Sequence, residues 1–161
     1  MSRHFTASAF VTHAGRVLLI LHRAKGLWLP PGGHVEPDEL PAAAAVREVF
    51  EETGLAVTIT SPRVPAERPG VAPRPEASLE VEVAPGHVHL DLVYFARPAD
   101  GADPHALRPN EEAAELRWWS GAELRRRVED AGGAAGDLPP NVATLALAAL
   151  AAAADTAGPP A

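Results

Sequence analysis

Cysteine is missing from the 161-residue chain, which excludes disulfide frameworks, zinc–thiolate centres and cysteine nucleophiles. Basic residues are outnumbered: 14 Lys and Arg stand against 21 Asp and Glu, a formal net charge of −7. General nucleic-acid and membrane binders depend on a basic surface, so neither partner is expected. A phosphorylated small molecule stays compatible, because a bound divalent cation reverses the local field. Long apolar runs are also lacking. Residues 1–10 hold no segment suited to a signal peptide, and no uncharged 18-residue apolar span precedes the alanine-rich C-terminus. A cytoplasmic protein is the expectation.

What is present is globular. Hydrophobic residues make up 47% and charged residues 22%, and the length suits one domain with its own core. We expect a single domain over residues 1–155 and a flexible tail over 156–161. Ala7 to Thr12 and Arg16 to His22 read as a hairpin turning at Gly15. A short strand at residues 26–29 should stop at Pro30-Pro31-Gly32-Gly33, which disfavours regular structure.

Residues 41–53 should form a helix, with Pro41 at its first position and Gly54 closing it. Strands are expected at 56–61, 79–83, 87–97 and 114–119, and a proline-rich loop at 62–78. Ser120 and Glu123 have capping-box spacing for a helix to about residue 131, and residues 141–154 suit another. Strands flanking an internal helix, with helices at the end, imply an α/β fold with a mixed sheet between helices.

On the helix, Ala42, Val46, Val49, Phe50 and Thr53 cluster as a core face, at about 100° per residue. Glu48, Glu51 and Glu52 fall together on the other side. Taken alone, such a stretch is an ordinary solvated face. Three neighbouring carboxylates also suit Mg²⁺, a hard cation that takes one or two carboxylates plus substrate phosphates and water. Arg47 is placed to hold one of the glutamates by a bidentate contact.

The wider pattern decides between these readings. Residues 33–55 read GHVEPDELPAAAAVREVFEETGL. This resembles the Nudix box, G-x5-E-x7-R-E-U-x-E-E-x-G-U with U aliphatic. All of its fixed positions are present: Gly33, Glu39, Arg47, Glu48, Val49, Glu51, Glu52, Gly54 and Leu55. The resemblance extends through the hairpin before the box, the L-P-P-G-G approach and the strand–loop–helix tail. Leu40 departs from the Ser or Thr that caps this helix in many relatives, which should cost some helix stability and no activity.

The resemblance implies a Nudix-type α/β/α sandwich and a MutT-like pyrophosphohydrolase. Carried onto this chain, Glu48, Glu51 and Glu52 would bind Mg²⁺ or Mn²⁺, with the backbone carbonyl of Gly32 or Gly33 as a further ligand. Arg47 would orient the glutamates, and Glu39 would support them. Family members differ in the general base: here Glu112, on the loop with Glu111, is the first choice and Glu51 the alternative.

Pro139-Pro140-Asn141 resembles the Pro-Pro-x-Asn of the 8-oxo-dGTP-hydrolysing branch, one residue short. Asn141 either reads a purine edge or caps a helix. Trp28 and Phe5 either stack on a base or pack internally. His87 and His89 share a strand face with Asp91, which is a polar face or a metal site. One indole of Trp118-Trp119 should be core. Arg63, Arg68 and Arg74 either touch phosphates or are solvated loop charges. The implied partner is a small nucleotide, first a nucleoside triphosphate, then ADP-ribose or a nucleotide sugar; a homodimer stays open. The rival class is a silent nucleotide-binding module of the same fold, which usually loses box glutamates that this chain retains.

Overall fold

The computed structural model describes residues 2–61, 72–130 and 136–157. Eight strands form one sheet: β1 (Ser2–His13), β2 (Arg16–His22), β3 (Leu27–Leu29), β4 (Gly32–His34), β5 (Val57–Ile59), β6 (Ala77–Ala84), β7 (His87–Pro98) and β8 (Ala113–Ser120). Three helices accompany them: α1 (Pro41–Thr53), α2 (Gly121–Asp130) and α3 (Pro140–Ala157). The sheet path runs β3-β2-β1-β7-β5, with β4 on β1, β6 on β7 and β8 on β2. β1 and β7 run parallel from Ser2↔His87 to Val11↔Ala96. The other pairings are antiparallel, so the sheet is mixed.

Local chemistry sets the boundaries. The β1–β2 hairpin turns on Ala14 and Gly15 with φ of 46° and 70°, the positive values that match the twist of paired strands. Gly54 ends α1 at φ 71°, donating its N–H to the Phe50 carbonyl. Leu40 supplies no side-chain cap to α1. At α2 the Ser120 and Glu123 capping box forms reciprocally: Ser120 N–H donates to Glu123 at 2.8 Å, and Glu123 N–H to Ser120 Oγ at 3.3 Å.

Helices cover both faces. Alternate residues of β1 point to opposite sides. Ala7, Ala9 and Val11 join Ala42, Ala45 and Val49 of α1, while Phe10 joins Phe95, Trp119, Leu124, Val142 and Ala146 toward α2 and α3.

Four expectations are corrected. β1 begins at Ser2, because parallel pairing with β7 supports residues whose own pattern is polar. Gly32–His34 is a strand, since β1 lies alongside it and supplies partners that glycine's low propensity does not predict. α3 continues to Ala157, into the expected tail. The core face of α1 holds Ala42, Ala44, Ala45, Val49, Glu52 and Thr53, whereas Phe50 is 56% exposed. Arg63 and Arg68 lie outside the described residues.

Candidate active site

The site begins where β4 is squeezed between β1 and α1. A Cβ on Gly32 would lie 2.6 Å from the Ala7 carbonyl oxygen and 2.7 Å from Ser8 Cα. One on Gly33 would lie 2.5 Å from the carboxyl carbon of Glu48. Two residues without side chains therefore let the acidic edge of α1 lie directly against the sheet.

Arg47 organises that edge. Its Nε and one terminal nitrogen fork onto Glu39 at 3.2 and 2.6 Å, and the same terminal nitrogen donates to the His34 carbonyl at 2.9 Å. The other terminal nitrogen reaches Glu48 at 2.8 Å and Glu51 at 3.3 Å. The bidentate partner is thus Glu39, not one of the clustered glutamates. Its hydrogen bonds to Arg47 hold the Glu39 carboxyl below the usual range.

The three box glutamates do not share one environment. Glu52 is 3% exposed and accepts the Gly32 N–H at 2.8 Å. Burial, then the charges of Glu48 and Glu112, push its carboxyl up to about 7, against that hydrogen bond and the charge of Lys25. Burial also raises Glu48, opposed by Arg47. Glu51, about 100° around the helix from Glu52, has a side chain 52% exposed. It lines a shallow groove with Phe50, Arg108 and Asn110. Among the described residues no three His, Asp or Glu side chains converge to hold a cation as they stand. The expected trio is therefore an inner pair, Glu48 and Glu52, with Glu51 at the rim.

Glu52 faces a cavity of about 560 Å³, within the usual size for a small-molecule pocket. Glu112 lines it and Glu111 does not. The loop is set by Asn110, whose side-chain oxygen accepts the N–H groups of Glu112 and Ala113 at 2.9 and 3.1 Å. The Glu111 carbonyl accepts from Arg23 Nε at 2.9 Å.

Asn141 lines the same cavity from the first turn of α3. The helix starts one residue earlier, at Pro140, so Asn141 is not its cap. Trp28 is buried at 5% exposure with its ring 5.1 Å from that of Trp119. It is a core residue, and the stacking role expected of it has no exposed ring face to use. Trp119 is likewise core, while Phe5 is 58% exposed.

The sequence did not single out Lys25, which lines the cavity beside Glu52, nor the surroundings of Asp91. Thr6 Oγ1 donates to one Asp91 oxygen at 2.9 Å and Ser8 Oγ to the other at 2.7 Å. His4 and His34 join His87 and His89, with neighbouring ring centres 4.8 to 6.2 Å apart. Burial, with His34 and His87 beside it, lowers the pKa of His89. The pairing of β1 with β7 brings Thr6, Ser8 and His4 to the Asp91 face, and the pairing of β4 with β1 adds His34; neither pairing is signalled by a local pattern.

Comparison with known proteins agrees with this geometry. The NUDIX domain family model matches residues 2–137. A putative 8-oxo-dGTP diphosphatase of Bacillus subtilis (strain 168) is 32% identical over 123 residues, 74% of this chain and 70% of that protein. A MutT-like protein of Streptomyces ambofaciens is 28% identical over 124 residues, 77% and 68% of the two chains. The crystal structure of a NUDIX-family hydrolase from Clostridium perfringens superposes with a TM-score of 0.78 at 31% identity, covering 95% of this chain and 99% of that one. With the glycine-backed acidic helix edge and this agreement over most of its length, the chain belongs to the Nudix family of pyrophosphohydrolases.

Proposed function

We propose that the protein hydrolyses a nucleoside triphosphate to the monophosphate and pyrophosphate, with Mg²⁺ or Mn²⁺ bound at Glu48 and Glu52. The carrying observation is Glu52: a carboxylate buried at 3% exposure, pushed up to about 7, facing a cavity of substrate size. Among the described residues it has no ion-pair partner within 4.0 Å. A buried carboxylate without a salt bridge, with Glu48 and Glu112 contributing further negative charge, fits a hard divalent cation. When bound, the cation would neutralise charge on the pyrophosphate and acidify a water. The Gly32 carbonyl is the candidate backbone ligand, and Glu51 a rim ligand.

The chain's own residues supply the rest. Arg47 fixes Glu48 while remaining charged. The Gly32 N–H holds one Glu52 oxygen. Glu112, presented by the Asn110 turn, takes the proton of the attacking water. Asn141 offers an amide across the cavity to the nucleoside. The Bacillus subtilis relative is named a putative 8-oxo-dGTP diphosphatase, which supports a triphosphate substrate. Retention of all the box glutamates argues against a silent binding module.

The test is a panel of triphosphates, ADP-ribose and nucleotide sugars assayed with Mg²⁺ and with Mn²⁺. Monophosphate plus pyrophosphate from triphosphates is the expected result. Hydrolysis confined to ADP-ribose or nucleotide sugars, yielding two monophosphates, would overturn the substrate assignment.

A further inference from the structure

Asp91 is a carboxylate built into the cavity wall with no role in the chemistry at Glu52. It lies on β7 opposite Thr6 of β1. The donors that grip it, Thr6 and Ser8, are 7% and 5% exposed, and each takes a different carboxylate oxygen, at 2.9 and 2.7 Å. The carboxylate is thereby fixed in orientation. Each oxygen has two acceptor positions, so one remains free on each. No cation pairs with Asp91 within 4.0 Å among the described residues. Leu27, Leu29 and Leu79 line the same cavity and offer apolar walls for a flat ring.

We infer that Asp91 determines substrate specificity by accepting a pair of adjacent N–H or O–H donors on the nucleoside. This deepens the triphosphate reading above and rests on it. A carboxylate only accepts, so the group it reads must present two donors side by side. Guanine does so with its ring N–H and amino group. Adenine and cytosine each set an acceptor beside the amino donor, and uracil flanks one donor with acceptors. The apolar walls favour the flat guanine ring. A ribose diol offers the same paired-donor chemistry and is the second source. Thr6 and Ser8 are positioning residues that act through Asp91.

The experiment measures binding of GMP, dGMP, AMP and CMP to the Mg²⁺-loaded protein by calorimetry, with turnover of the matching triphosphates in parallel. We expect GMP and dGMP to bind at least tenfold more tightly than AMP or CMP. Asp91→Asn should cut that affinity tenfold or more, shift KM rather than kcat for GTP, and leave AMP within twofold. Equal losses for GMP and dGMP assign the base edge, and losses confined to ribonucleotides assign the diol; both sustain the inference. Unchanged affinities, or one uniform loss across all four ligands, overturn it. If Asp91→Asn fails to fold, Asp91→Glu keeps the charge, displaces the carboxylate and should lose the same preference. Ser8→Ala should weaken that preference without abolishing it. Inert triphosphates alongside a preserved GMP preference would defeat the triphosphate reading and leave Asp91 standing. Active triphosphates with an indifferent Asp91→Asn would do the reverse.

Discussion

Gly33→Ala should separate activity from stability. Gly33 has no left-handed backbone to protect, so alanine is free of conformational strain there. Its Cβ would arrive 2.5 Å from the Glu48 carboxyl carbon, where ordinary contact begins at 3.4 Å. The carboxylate must retreat by about 1 Å, loosening its 2.8 Å bond to Arg47. A displacement of that size at a reacting centre costs about 10²-fold in rate, or about 2.7 kcal/mol. Stability should barely move. Alanine gains about 0.5–1 kcal/mol over glycine in a strand, against about 1 kcal/mol for a weakened, partly exposed ion pair.

Gly32→Ala is the contrast. Its Cβ meets the backbone of Ala7 and Ser8, which does not swing away. Overpacking of this kind costs about 1–3 kcal/mol, or about 3–10 °C in a domain of this size. Turnover at saturating Mg²⁺ and thermal melts of both variants are the assay. A Gly33→Ala enzyme with wild-type turnover, or one melting as low as Gly32→Ala, would refute the reasoning.

Glu112→Gln should lower kcat by roughly 10² to 10⁴ at saturating metal, with Glu111→Gln near wild type; the reverse order would move the base to Glu111. Glu52 titrates near 7 in the folded protein and near 4.5 unfolded. Without metal, its contribution to stability is present below 4.5 and lost as pH rises through 7. Mg²⁺ binds the ionised form, so it should raise the melting temperature more at pH 8 than at pH 6; Glu52→Gln should abolish both that shift and turnover. Ser120→Ala should cost about 1 kcal/mol through the lost α2 cap, read from urea melts. Glu123, held near 2 by its hydrogen bonds to Ser120, stabilises above about 4.5. That contribution should disappear as pH falls through 2, and a Glu123→Gln protein should show a correspondingly flatter acid limb.

The elements with a strong local signal were legible in the sequence. The hairpin at Gly15, the α1 span from Pro41 to Gly54 and the Ser120 cap each follow from residues close in the chain. The rotation of α1 was not legible. Ala42 to Ala45 are all apolar and small, so the hydrophobic pattern does not fix which side faces inward. Spacing alone sets Phe50 on the core face and Glu52 on the face opposite it, whereas in the structure Phe50 is exposed and Glu52 is buried. β4 depends on β1, and the Asp91 grip spans 85 and 83 residues of sequence. The Asp91 grip exists only once β1 and β7 pair in parallel.

That pairing leaves the sheet with unequal cover. On one side α1 packs over Ala7, Ala9 and Val11. On the other, Phe10, Val93 and Phe95 cluster with Val142 and Ala146 of α3, and the cavity is walled by Thr6, Ser8 and Asp91 together with Phe10 and Val93. A molecule lodged there would cover the part of this face that the helices leave open. Its affinity draws on the same burial of surface that holds α3 in place. Remodelling the first turn of α3 or the facing residues of β6 alters which molecule fits there, while α1 and its acidic edge stay as they are. If the cavity takes the substrate as proposed, the acidic edge of α1 and the walls that choose the nucleoside lie on different elements, and the walls can change without rebuilding α1.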